Sequence, residues 1–108
     1  MPDGNAAPEH VIVWSYRVEP RDEARFVKAY GAGGAWQQLF ARGAGYRGTQ
    51  LLRCEEPGRY LTIDRWESKA AFMAFLAAFE KEYDDLDDRC AELTTVEACV
   101  AVGDAQVT

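Results

Sequence analysis

A chain of 108 residues, 48% hydrophobic and 12% aromatic, is the size of one domain and apolar enough to fold it without metal or disulfide staples. A formal charge of −6 and a pI near 4.7 repel phosphate backbones and anionic lipid surfaces, so neither nucleic acid nor a membrane is an expected partner. No run approaches the ~18 apolar residues of a membrane span, residues 1–8 lack the basic and apolar regions of a signal peptide, and cytoplasm is the expected location.

Residues 1–9 read as a flexible N-terminal tail. Val11 to Val18 is β-branched and aromatic and predicts a first strand, with Ile12, Trp14, Tyr16 and Val18 on one face and Val11, Val13, Ser15 and Arg17 on the other. Pro20 suits a helix start, because its missing N–H is not needed there, and Asp22 and Glu23 favour the positive end of the helix dipole. Phe26, Val27 and Tyr30 give that helix an inward face, and Gly31-Ala32-Gly33-Gly34 ends it. A short second helix carries Trp36, Leu39 and Phe40, closed by Gly43 and Gly45.

Tyr46 to Cys54 and Arg59 to Glu67 predict two strands joined by the turn Glu55-Glu56-Pro57-Gly58, an antiparallel hairpin. At Ser68 the hydrophobic period changes from that of a strand to that of a helix. Apolar residues then fall at 72, 75, 76, 79, 83 and 86, and the face continues through Cys90 and Leu93, with a kink expected near Tyr83-Asp84-Asp85. The Ser68 hydroxyl is placed to cap the first turn. Thr94 to Val102 predicts the last strand. The domain is expected to span residues 10–103, with a C-terminal tail at 104–108.

The order β-α-α-β-β-α-β is met by one four-stranded antiparallel sheet with helices on a single face, the ferredoxin-like α+β fold. Leu61 and Ile63 oppose Tyr60, Thr62 and Trp66, and Val11 and Val13 oppose Trp14, so both sheet faces carry apolar residues. A face without helices then needs another cover, most simply a second copy, and a homodimer packed sheet on sheet is expected. The three cysteines, Cys54, Cys90 and Cys99, form no C-x-x-C pair and read as buried, reduced thiols. The acidic run around Asp84, Asp85, Asp87 and Asp88 lacks the spacing of a calcium loop and reads as a solvated helix face.

Three blocks carry a resemblance: Tyr30-Gly31 with Trp36, Leu39 and Phe40; Gly45-Tyr46 with Gly48-Thr49 and Leu51-Leu52; and Tyr60-Leu61-Thr62-Ile63-Asp64-Arg65-Trp66-Glu67-Ser68 with Ala71-Phe72. Together they resemble the antibiotic biosynthesis monooxygenase domain family, of the dimeric α+β barrel group, over about residues 10–103. The resemblance implies a homodimer whose sheets close into a barrel, with a pocket in each subunit between sheet and helices. It also implies oxidation of a small aromatic or quinone-type metabolite by dioxygen with no cofactor, neither metal nor flavin. Haem degradation, found in another branch, uses a helix histidine and a first-strand asparagine. Here the only histidine is His10, ahead of the first strand, and the only asparagine is Asn5, so that chemistry is not expected.

Cofactor-free oxygenation needs a slot for a flat ring, stabilisation of an oxyanion and exclusion of water. Trp66 and Tyr16 offer flat faces with polar handles, and Asp64, on the strand face of Trp66, can accept a proton if buried. These three are the candidate catalytic residues. Trp14, Trp36, Phe40, Tyr46, Phe72 and Phe75 are the candidate substrate-binding residues. Aromatic residues at helical spacing also fill cores, and no acid–base pair stands out. The alternative is therefore a non-catalytic dimeric barrel that binds a small ligand or serves as a structural module.

Overall fold

A computed structural model describes residues 8–106, and its centre is a four-stranded antiparallel sheet. β1 (His10–Arg17) pairs with β3 (Arg59–Trp66) on one side and with β4 (Val96–Asp104) on the other, and β2 (Tyr46–Arg53) joins the far edge of β3. The order β2-β3-β1-β4, with α1 (Glu23–Tyr30), α2 (Ala35–Phe40), α3 (Lys69–Ala78) and α4 (Glu80–Cys90) as connections, is the ferredoxin-like α+β fold. A 3-10 turn at Pro20–Asp22 leads into α1, and another at Ala91–Leu93 follows α4.

Alternation along β3 sets the layers. Tyr60, Thr62, Asp64 and Trp66 are buried beneath the helices, while Leu61, Ile63 and Arg65 on the opposite face are half-buried. Phe26, Tyr30, Trp36, Phe40 and Phe75 descend onto the first set from the helices and complete the core. Much of this core is aromatic: Phe26 stacks on Tyr30 at 4.3 Å between ring centroids, and Trp66 has Phe40, Tyr46, Phe72 and Phe75 around it at 5.1–5.8 Å. Ser68 caps α3 as its position implies, its Oγ accepting from the Ala71 N–H at 3.0 Å.

Several expectations are corrected. The long helix breaks at Phe79, where φ is −121° and ψ is 27°, and not near Tyr83. The segment there contains neither proline nor glycine. The bend lets an apolar α3 lie against β3 while a strongly charged α4 turns its Leu86 and Cys90 inward. The last strand is shifted: Leu93 is buried in the 3-10 turn, and pairing runs through Gly103 and Asp104, opposite Val11 and His10. Asp104, expected to begin a tail, is therefore in the sheet. His10 lies within β1, buried, with Nδ1 3.4 Å from Asp104 Oδ1. Of the three free thiols only Cys90 is buried, with Cys54 half-buried and Cys99 exposed on the edge strand. The expected N-terminal tail falls largely on residues 1–7, and the end of the C-terminal one on 107–108, which lie outside the described residues.

The helices cover β1, β2 and β3 but leave β4 bare. All nine of its residues are exposed, including Val96, Val100 and Val102. Among the described residues no helix is long and apolar enough to cross a membrane.

Candidate functional site

A cavity of about 100 Å³ lies between the sheet and the helix layer. Its floor follows from strand alternation. Ile12, Trp14 and Tyr16 come from β1 at every second position, Thr62 and Asp64 come from β3, and Thr49 of β2 is in register with Asp64. The roof is Tyr30 at the end of α1, Trp36 and Phe40 of α2, Phe72 of α3, and Tyr83 and Asp87 of α4, one helical turn apart. Glu97 of the uncovered β4 stands on the remaining side.

Asp64 is the chemical centre of this wall. It is only 7% exposed, and no lysine, arginine or histidine pairs with it among the described residues. Burial pushes its carboxyl up to about 6, offset in part by the Thr49 hydroxyl, which donates to Oδ1 at 2.7 Å. With the threonine proton committed to the carboxylate, the 2.5 Å contact between Tyr46 and Thr49 has the tyrosine as donor. Tyr46, Thr49 and Asp64 thus form a relay ending on a carboxylate whose proton affinity is close to neutral pH.

The phenols facing the cavity stay protonated. Tyr16, whose hydroxyl is 3.2 Å from Thr62 Oγ1, is raised well above its ordinary value by burial first, with the charges of Asp64 and Glu97 adding to it. Tyr83 is pushed up to about 12 by burial and by nearby carboxylates, Asp87 foremost among them. Glu97, exposed on β4, is itself raised by partial desolvation of its carboxyl and then by Asp87. Among the described residues the cavity therefore has hydroxyl donors and three carboxylates, and no basic side chain lines it.

Of the nine residues singled out from sequence, Trp14, Tyr16, Trp36, Phe40, Asp64 and Phe72 meet around the cavity. Trp66, Tyr46 and Phe75 do not border it. Trp66 is fully buried one layer behind, its indole N–H without a hydrogen-bond partner, where it supports Phe40 and Phe72 from below. Phase alone could not separate a residue on the cavity from one beneath it. Tyr30, Thr49, Thr62, Tyr83, Asp87 and Glu97 escaped sequence reasoning. Thr62 shares the phase of Asp64 and Tyr83 that of Phe72, a signal that was present. Asp87 sat within a run that reads as solvated, and Glu97 reaches the site only through the pairing of β4 with β1.

With this geometry in view, the chain belongs to the antibiotic biosynthesis monooxygenase family, whose sequence pattern matches residues 10–87. Solved structures share the fold. A monooxygenase from the gene ActVA-Orf6 of Streptomyces coelicolor, in complex with nanaomycin D, superposes with a TM-score of 0.76 at 15% identity, covering 94% of this chain and 90% of that one. A variant of SnoaB, a cofactor-independent oxygenase from Streptomyces nogalater, gives 0.71 at 22% identity, covering 94% and 97%. A dimeric ferredoxin-like protein from an uncultured marine organism gives 0.69 at 12% identity, covering 94% and 90%. No curated protein matches the sequence.

Proposed function

We propose that this protein is a cofactor-independent monooxygenase acting on a small phenol, hydroquinone or quinone-type metabolite, with Asp64 as the general base. One observation carries the reading: a buried carboxylate without a cationic partner stands on the wall of an aromatic cavity, its pKa raised to about 6. In the proposed reaction Asp64 takes a proton from an electron-rich phenol. The resulting anion passes one electron to dioxygen, and the organic radical and superoxide combine. The proton held on Asp64 returns to the peroxide, and loss of water leaves one oxygen atom in the product. Tyr16, held neutral, is a hydrogen-bond donor for the substrate oxygen. Trp14, Trp36, Phe40 and Phe72 enclose the ring. Tyr46 acts through Thr49, while Trp66 and Phe75 support the wall from behind.

The chain is proposed to work as a homodimer. The half-buried Val11, Val13, Leu61 and Ile63 and the exposed Leu52 make an apolar outer sheet face with no helix over it, which a second sheet would cover. A similar fold described as dimeric supports this arrangement.

A second reading, a binding module without chemistry, draws on the size of the cavity. About 100 Å³ is less than the ~300 Å³ of common ligand sites. Oxygen uptake decides between them. The purified protein is expected to consume oxygen with single-ring hydroquinones, and Asp64→Asn to lower the rate by about 100-fold or more. Ligand binding without oxygen uptake in the wild type supports the binding module, and full turnover in Asp64→Asn removes Asp64 from the mechanism.

A further inference from the structure

Among the described residues, seven aromatic side chains and three carboxylates line the cavity, and no lysine, arginine or histidine does. Asp64 is more than nine-tenths buried and makes no ion pair among the described residues. Asp87 and Glu97 flank the same space from α4 and β4, and neither joins an ion pair among the described residues. The three carboxylates do not converge as ligands of a metal ion. Their charge falls instead across a cavity walled mostly by aromatic rings, a surrounding that suits an organic cation.

This field opposes the proposed reaction. Asp64 becomes neutral on taking the proton, so a phenolate forming beside it faces the remaining carboxylates, Asp87 and Glu97. A positive charge entering the cavity would favour an anion forming in it, and the described residues supply none there. The substrate is the remaining carrier.

We propose that the substrate carries a protonated amine beside its oxidisable ring, and that Asp87 and Glu97, with Tyr83 and Trp14, select it. This deepens the proposed function and rests on the cavity being the substrate site. The ammonium would sit at the exposed side of the cavity, toward Asp87 and Glu97, and the ring oxygen would lie toward the buried Asp64 and Tyr16. The bound cation offsets the negative potential of Asp87 and Glu97 beside the forming phenolate, so one group serves both selection and activation.

Three phenols of nearly equal shape test this: tyramine (cationic), tyrosol (neutral) and 4-hydroxyphenylacetate (anionic), titrated calorimetrically into the purified full-length protein at low salt and neutral pH. Tyramine is expected to bind about tenfold more tightly than tyrosol and the anion more weakly than either. Added salt should narrow the gap. The double variant Asp87→Asn/Glu97→Gln should bring tyramine and tyrosol within about twofold of each other. Asp88→Asn, an exposed change on the same helix, should leave the preference intact. Equal binding of the three, tighter binding of the anion, or no binding of any at millimolar concentration overturns the proposal. Oxygen uptake separates it from the reading it rests on. Turnover of neutral hydroquinones without charge preference removes the cation and leaves the oxygenase, whereas tyramine selectivity with no oxygen uptake by any phenol removes the oxygenase and leaves a cation site.

Discussion

Asp64 ties stability to the proposed activity through one buried group. Its native pKa of about 6 lies above the ~4 of an unfolded aspartate, so the native state holds this proton more tightly. Stability through this group therefore falls as pH rises from about 4 to about 6, and the full penalty, on the order of 3 kcal/mol, is present above that range. Asp64→Asn keeps an acceptor for Thr49 and removes the buried charge. Urea denaturation should show it more stable than wild type by ~1–3 kcal/mol at pH 7, with the difference fading toward pH 4, even as turnover is lost. If Asp64 is the base, the rate should also fall as pH drops below about 6. Thr49→Val takes away the hydrogen bond that lowers the carboxyl, and the acid limb of the rate profile should move to higher pH. Tyr16→Phe should slow turnover by about 100-fold with little effect on the fold, since only its hydroxyl is lost. Trp66→Ala is a different experiment. It empties a fully buried site and should cost ~3–5 kcal/mol, so loss of activity there would report collapse of the wall and not chemistry.

Among the elements, the Ser68 cap starts the helix that carries Phe72 and Phe75, and two glycines shape the entry to β2. Ser68→Ala removes the bond to the Ala71 N–H and should lower stability by ~1 kcal/mol, or roughly 5 °C in Tm. Gly45 has φ of +91° and no room, because a Cβ there would lie 2.8 Å from that of Ala71. Gly48, at φ +116°, faces open space within the bulge of β2 opposite β3. Alanine at 45 should therefore cost ~2–3 kcal/mol and alanine at 48 only ~1, a contrast that thermal denaturation can read directly. The bend at Phe79 matters for size. It separates Phe72 on α3 from Tyr83 and Asp87 on α4, so two differently directed helices contribute to the roof.

For the whole molecule, the outer face of the sheet decides whether the chain works alone. A chain of 12.1 kDa is expected to elute with light scattering at twice that mass, and Ile63→Asp, placing a charge at the centre of the apolar face, should return it to one copy. A wild-type monomer at micromolar concentration would remove the dimer. The bare β4 edge is the other exposed apolar feature, and in a lone chain it is a liability for edge pairing.

Local chemistry determined a good deal here. Period-two alternation set the sheet faces, so Tyr16, Trp14 and Asp64 could be placed on the helix side from sequence. Helical spacing did the same for Trp36, Phe40 and Phe72, and the Ser68 junction followed from capping chemistry alone. The alternation and spacing are properties of neighbouring residues, and neighbours in sequence are neighbours in a strand or a turn of helix. What only the tertiary structure decided depends on distance across the chain. The register of β2 on β3 brings Thr49 to Asp64, and the pairing of β4 with β1 carries Glu97 to face Asp87. Packing depth leaves Trp66 behind the wall while Phe72 reaches the cavity. Desolvation raises the proton affinity of an ordinary strand aspartate to about 6, because burial and missing counter-charges are summed over every element around it, and no local pattern records that sum.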